Sequence, residues 1–379
     1  MERHVLNLSK ELARRGHDVE IFTCATTRQS DALERSSVVE GLRVYRFGSV
    51  VSLGEFGRVW PGFARGVFRG EFDVVHAHSF RHPHTDLSMV VSKFSGSASV
   101  LTTHSPFHPG GVRGPLARAL VPIYDNLFAP TTLGYFGTVI ALTSDEAEVL
   151  RRMGATADQI AVIPHGVDAV HFSGSDPSLF RSKFGLEGRD VALCLSRINR
   201  TKGLDVLLDS FSSIAQTVPN LTLVFAGGCT SPKEEEFLAE LKRKALALGV
   251  QGRVVFTGRL TDEEKASAYE ACTVFVLPSI YEPYGIVLLE AAAHGKPLIS
   301  TRTGGPKSII VEGVTGLLVA PGESRELAEA LLHLATHKEA AARMGEEARR
   351  MAREHTWEKV AEATERVYLR ITSAPAVQR

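Results

Sequence analysis

Apolar residues recur along this chain in two alternating rhythms. Val5, Leu8 and Leu12 are three and four residues apart, which makes one apolar stripe over residues 2–15, and Gly16 follows as a stop. An opening helix is expected there. Short apolar runs at 19–23, 42–47, 74–76, 100–103 and 139–142 then read as strands, with helix-compatible or loop sequence between them. Little of the intervening sequence has hairpin chemistry, so the alternation predicts a parallel sheet covered on both faces.

The alternation pauses at Ser173-Gly174-Ser175-Asp176-Pro177 and then restarts. Strands are expected at 191–195, 221–226, 254–257, 274–277, 298–301 and 317–319, each but the last followed by helix-compatible sequence. The predicted fold class is therefore α/β, with two doubly wound Rossmann-like domains. The first spans 1–172 and the second 188–355, with 173–187 as the linker between them. Trp357, Val360, Ala361, Thr364, Val367, Tyr368 and Ile371 mark a further helix within 356–379, whose stripe suits packing on either domain. Parallel sheets bind ligands beyond the carboxyl ends of their strands, so the chemistry is expected in a cleft lined by strand-end loops.

Composition narrows the function. The 379 residues carry 43 Lys+Arg against 43 Asp+Glu. A chain without a basic surplus is a poor candidate for a nucleic-acid binder. Cys24, Cys194, Cys229 and Cys272 form no CxxC pair and read as buried thiols of a reducing compartment. No apolar run approaches a membrane span and the first residues are charged, so a cytoplasmic protein is expected.

Candidate chemistry lies at strand ends. The strand 191–195 runs into Ser196-Arg197, and Lys202-Gly203 precede the next helix. The Arg fork, the Lys point charge and unpaired helix N–H groups together suit a diphosphate, although two solvated surface cations would read the same way. The strand 274–277 feeds a turn containing Glu282 and Gly285, then an apolar helix that contains Glu290. A carboxylate on an apolar helix face needs hydrogen-bond donors, from a ligand diol or a protein partner. Gly285 admits close backbone approach, and the N–H groups of Ile286, Val287 and Leu288 are expected to face an anion or a sugar hydroxyl. Gly304 and Gly305, before Pro306, form either a ligand loop or a tight turn. In the first domain His76, His78 and His104 lie at strand ends. His76-x-His78, with His82, His84 and Asp86 nearby, raises a metal site, but the set is poor in carboxylates and no metal is expected.

Arg197, Lys202-Gly203, Glu282-x7-Glu290, Thr303-Gly304-Gly305, Ile163-Pro164-His165-Gly166-Val167-Asp168 and His104 occur together in this chain. That set resembles glycosyltransferase family 4, retaining transferases of the GT-B fold with two facing domains. The resemblance implies that Arg197 and Lys202 hold the diphosphate of a nucleotide sugar, Glu290 its ribose and Glu282 the hydroxyls of the donor sugar, with His104 reaching that sugar from the other domain. It implies no cofactor and no catalytic metal, in keeping with the lack of any Asp-x-Asp. It further implies transfer of a hexose from GDP-mannose, UDP-glucose or UDP-GlcNAc to a glycan, lipid or small-molecule acceptor. Family members begin with a strand and a Gly-Gly loop ahead of the helix that opens here at Glu2. Their absence is expected to leave neighbouring strands without a partner.

Residues 41–122 hold nine Lys+Arg against four acids, and Phe56, Trp60, Phe63 and Phe68 interleave with Arg58, Arg65 and Arg69. Peripheral membrane contact through 53–70 is one reading, and a helix packing its apolar residues on the sheet is the other. Two other functions fit part of the pattern: a nucleotide-sugar epimerase or hydrolase, and a non-catalytic nucleotide-sugar-binding partner.

Overall fold

The computed structural model describes residues 1–25, 36–52, 57–104 and 114–373. It forms two compact units, Met1–Gly166 with Trp357–Arg379, and Val167–Thr356.

In the first unit the helix Glu2–Arg14 buries Leu8 and Leu12, as its stripe predicts. β1 (Glu20–Cys24), β2 (Ser36–Val39) and β3 (Leu42–Phe47) form one sheet in the order β1-β3-β2. β1 and β3 are parallel, whereas β2 and β3 make an antiparallel hairpin. The all-parallel expectation fails here because Glu40-Gly41 adopts positive φ at both residues, 49° and 85°, the backbone of a tight hairpin turn. β4 (Val51–Ser52) and β5 (Arg58–Val59) pair as a short ribbon. β6 (Val74–His78), β7 (Ala98–Thr102), β8 (Thr138–Ala141) and β9 (Ile160–Val162) form a second, wholly parallel sheet in that order. Among the described residues β1 pairs with β3 alone and β6 with β7 alone.

The helix Trp357–Ser373 belongs to this unit: Trp357, Val360, Ala361 and Val367 share one buried cluster with Leu8, Leu12, Val100, Ile140 and Ile163. A Cβ on Gly166 would lie 2.5 Å from the Trp357 ring, so the close contact between these segments needs glycine. Trp60 and Phe63 are buried with Val67 and Val91 beneath the helix Phe63–Gly70. They are therefore core residues, unavailable to lipid, and only Phe68 of the described aromatics in 53–70 is exposed. Phe56 lies outside the described residues. The basic surplus is partly neutralised, since Arg81 grips Asp125 with two nitrogens and Arg43 reaches Asp18 and Glu20.

In the second unit β10 (Asp190–Leu195), β11 (Leu221–Ala226), β12 (Val254–Gly258), β13 (Val274–Leu277), β14 (Leu298–Thr301) and β15 (Gly316–Val319) form one parallel sheet. Its order is β12-β11-β10-β13-β14-β15. The chain winds outward from β10 in one direction and from β13 in the other, which makes the β10/β13 boundary the topological switch point. The segment expected as a linker, 173–187, is instead part of this unit. It holds the helix Ser178–Phe184, whose Phe180 is fully buried and whose Phe180 amide donates to Ser267 Oγ at 3.0 Å. Of the cysteines, Cys194 and Cys272 are buried as expected, and Cys24 and Cys229 are only half-buried. Among the described residues no helix is long and apolar enough to cross a membrane.

Candidate active site

The loops after β10 and β13 meet at the switch point. After β10 the Asn199 side chain accepts the Thr201 amide at 2.9 Å, which starts the short 3-10 turn Arg200–Lys202. Gly203 ends that turn at φ 63°, and a Cβ there would lie 2.2 Å from the carbonyl oxygen of Pro278. Only glycine permits this approach. The Ile280 amide donates to the Thr201 carbonyl at 2.9 Å and fixes the two loops together. As a result Lys202 Nζ donates to Glu282 Oε2 at 2.7 Å, joining residues eighty positions apart in sequence. Ser279 Oγ donates to the same oxygen at 3.2 Å. Both members of the pair are largely buried, where a charge needs a partner.

Arg197 stands on the same loop and is mostly exposed, with Nη1 3.8 Å from Glu234 Oε1. Glu234 is held in place by the amide and hydroxyl of Thr230, and the backbone bond comes first among the causes that keep its carboxyl below the usual range. Arg197 is thus tethered by one long contact.

Past β13 the chain turns at Gly285, φ 90°, into the helix Ile286–Ala293. The three amides proposed as ligand donors divide here. Leu288 N–H donates to the Gly285 carbonyl at 2.8 Å, so it is spent inside the first turn and is not a ligand donor. The Ile286 and Val287 amides are the ones the helix leaves over. Gly304 and Gly305 open the helix Gly304–Ile309, which follows Thr303. A Cβ on Gly305 would fall 2.1 Å from backbone atoms of Tyr284, and the Gly305 amide donates to the Glu282 carbonyl at 3.1 Å. This pair of glycines packs one loop on another, the tight-turn reading, and so supports the Glu282 turn from behind.

Glu290 lies inside the apolar helix and is buried. One protein donor reaches each of its oxygens, Tyr269 Oη to Oε2 at 2.6 Å and Lys265 Nζ to Oε1 at 3.2 Å, with His171 Nε2 3.7 Å from Oε1, and a carboxylate can accept further bonds. Behind them His171 Nδ1 lies 3.2 Å from His294 Nε2, and His294 Nδ1 lies 2.8 Å from Glu270. Burial pushes the Tyr269 hydroxyl far up and, with Glu290 beside it, keeps it a donor. Lys265, Tyr269, His171 and His294 carry no motif, and nothing in the sequence pointed to them.

In the first unit His104 lies just past β7 at φ 57°, an unusual backbone for a residue with a side chain. Its Nε2 is 3.1 Å from His78 Nδ1, and its ring centroid is 4.7 Å from that of His4. Burial pulls the His104 pKa down to about 3, so the ring is neutral. His165, from the 163–168 motif, and His4, to which nothing in the sequence pointed, complete this group with centroids 4.8 Å apart. The metal set weighed at 76–86 does not assemble. His76 has both ring nitrogens engaged, by Tyr368 Oη at 2.6 Å and Thr102 Oγ1 at 2.7 Å, and Asp86 accepts from Tyr124 and Thr132.

Strand-end loops that meet at the switch point of a doubly wound sheet stand where proteins of this α/β class hold their ligands, and comparison with known proteins is specific about the family. Residues 1–171 match the family described as Glycosyltransferase Family 4, and residues 177–351 match Glycosyl transferases group 1. The chain is 30% identical over 408 residues to a D-inositol 3-phosphate glycosyltransferase of Corynebacterium efficiens, covering 99% of this chain and 91% of that protein. It is 28% identical over 390 residues to a glycogen synthase of Mycobacterium tuberculosis, covering 97% and 90%. Among solved structures, sucrose-phosphate synthase from Thermosynechococcus elongatus superposes with a TM-score of 0.78 at 23% identity, over 98% of this chain and 94% of that one. Anabaena Alr3699/HepE in complex with UDP and glucose superposes at 0.76 and 23%, over 98% and 96%. The chain belongs to glycosyltransferase family 4: it is a glycosyltransferase, and its two Rossmann-like units have the GT-B fold.

Proposed function

We propose that this enzyme moves a hexose from a nucleoside diphosphate sugar to a hydroxyl of a glycan, lipid-linked or small-molecule acceptor, with retention at the anomeric carbon and without a metal. The observation that carries this reading is the Lys202–Glu282 contact at the switch point, with Arg197 on the same loop. A cation beside the mouth of the Ile286–Ala293 helix is suited to the charge that develops on a departing diphosphate. Lys202 and Arg197 then hold the diphosphate with the Ile286 and Val287 amides. Glu282, whose two contacts both fall on Oε2, offers Oε1 to donor-sugar hydroxyls. Glu290 takes the ribose, positioned by Tyr269 and Lys265, and His104 serves the sugar. As the leaving phosphate separates, one of its oxygens accepts the acceptor's proton on the face where the new bond forms.

UDP-hexoses are the first donors to test, because the Anabaena protein is solved with UDP and glucose, and GDP-mannose is the next. For a lipid-linked acceptor the contacting surface is the exposed Leu120, Ile123 and Leu127 stripe of the helix Pro115–Leu127, with Phe128 after it, since Trp60 and Phe63 are core residues. A thermal-shift screen over UDP-glucose, UDP-GlcNAc and GDP-mannose tests the donor. One of them should raise the melting midpoint by mass action, and a flat response to all three would contradict the reading.

A further inference from the structure

Three histidines from three separate elements converge in the first unit: His4 in the first turn of the helix Glu2–Arg14, His78 at the end of β6, and His104 just past β7. One ring nitrogen from each lies within 4.8 Å of the other two. A hydrogen bond between His78 Nδ1 and His104 Nε2, 3.1 Å apart, would account for two of them. It leaves the third unexplained. His4 is buried, 3% exposed, and its Nδ1 has no hydrogen-bond partner. A buried polar atom without a partner calls for a group that would satisfy it.

We propose that His4, His78 and His104 form a binding site for one transition-metal ion of the zinc type. Three imidazoles with an open fourth position are an established way to hold zinc. At metal–nitrogen bonds of about 2.0–2.1 Å, two such nitrogens on a tetrahedral ion stand roughly 3.3 Å apart. His78 and His104 are already near that separation, held by neighbouring parallel strands in which His78 is in register with Thr102. His4 has to close the remaining distance, a small shift for a residue in a first helical turn. An all-imidazole set without a carboxylate selects Zn2+, Cu2+ or Ni2+ over Mg2+ and Ca2+. His78 and His104 are partly exposed, which gives the ion a way in. In the reading under Proposed function, on which this last step rests, an ion on His104 withholds it from the donor sugar. The site is therefore inhibitory and is no part of the reaction.

The test uses the full chain, stripped with a chelator and titrated with Co2+ and then Zn2+ in the absence of substrate. The expected result is one equivalent of Co2+ with the strong visible bands of low coordination, displaced by Zn2+. His4→Gln and His78→Gln, checked for native melting, should each weaken it at least tenfold. His333, in the last turn of the helix Ser324–Thr336, and His337, just past its end, stack on each other and are the competing surface site, and His333→Ala/His337→Ala should leave the bound equivalent intact. Failure to bind one equivalent, binding indifferent to both Gln variants, or binding lost in the His333/His337 variant would each overturn the site. Transfer activity is measured afterwards, with one equivalent of Zn2+ and after chelation. Loss and recovery support the inhibitory role. Binding with unchanged transfer would leave the site standing and overturn the role given to His104.

Discussion

Lys202 and Glu282 carry the account at the scale of single residues. Lys202→Ala removes a charged donor from a diphosphate and leaves a buried carboxylate without its cation, so nucleoside diphosphate binding should weaken roughly tenfold to a hundredfold. Glu282→Gln keeps the shape and removes the charge. Its dissociation constant for nucleoside diphosphate should stay within a few-fold while kcat falls by about a hundredfold or more, read from binding and steady-state kinetics on the same preparation. An equal loss of both would place Glu282 in ground-state binding. Residue types were legible in the sequence: two cations after one strand and Glu-x7-Glu after another. The pairing of Lys202 with Glu282 was not, because it depends on which strands are neighbours. The partners of Glu290 were invisible for the same reason, since Tyr269 and Lys265 come from a different helix. Burial pulls the His82 pKa down to about 4, below its unfolded value near 6.5. The unfolded chain therefore binds the extra proton between these values. Stability contributed by neutral His82 is complete above pH 6.5 and is lost as pH falls toward 4. Denaturant unfolding at pH 7 and pH 5 should show a smaller acid loss for His82→Asn than for the parent, and equal losses would contradict it.

At the scale of elements, close backbone approach sets the site. Gly305→Ala would drive a Cβ into the backbone of Tyr284, and the strain of overpacking is typically about 1–3 kcal/mol. For a unit of this size that lowers the melting midpoint by roughly 2–10 °C. Calorimetry should show the drop together with weaker nucleoside diphosphate binding, because the displaced loop supports the Glu282 turn. A midpoint within 1 °C of the parent would contradict this packing. The strands were readable because buried parallel strands are short apolar runs, and all six of the second unit lie where the runs place them. The β2–β3 hairpin was missed because Glu40-Gly41 lacks the usual Asn-Gly or Asp-Gly signal while adopting the same turn. The segment 173–187 looked like a linker from its small polar residues. Its anchors, Phe180 and Leu186, stand among Ser, Gly, Lys and Arg without a sustained periodic stripe.

At the scale of the molecule, the chain leaves the first unit at Gly166 and returns to it at Trp357. The sequence showed that a terminal helix exists and could not say which unit it joins, because an apolar stripe does not name its partner. Ending the chain after Thr356 should strip cover from Leu8, Val100 and Ile140 while leaving the second unit whole. Hydrogen exchange should then rise across β6–β9 and stay low across β10–β15. The account as a whole rests on the diphosphate being met by protein cations. Its most direct test is calorimetric titration of UDP and GDP, with a chelator present, into the parent chain and into Arg197→Ala/Lys202→Ala. The account predicts that the parent binds one of the two without divalent ions and that the double variant binds it at least a hundredfold more weakly. Unchanged affinity in the double variant, or binding by the parent that appears only with added Mn2+ or Mg2+, would contradict it.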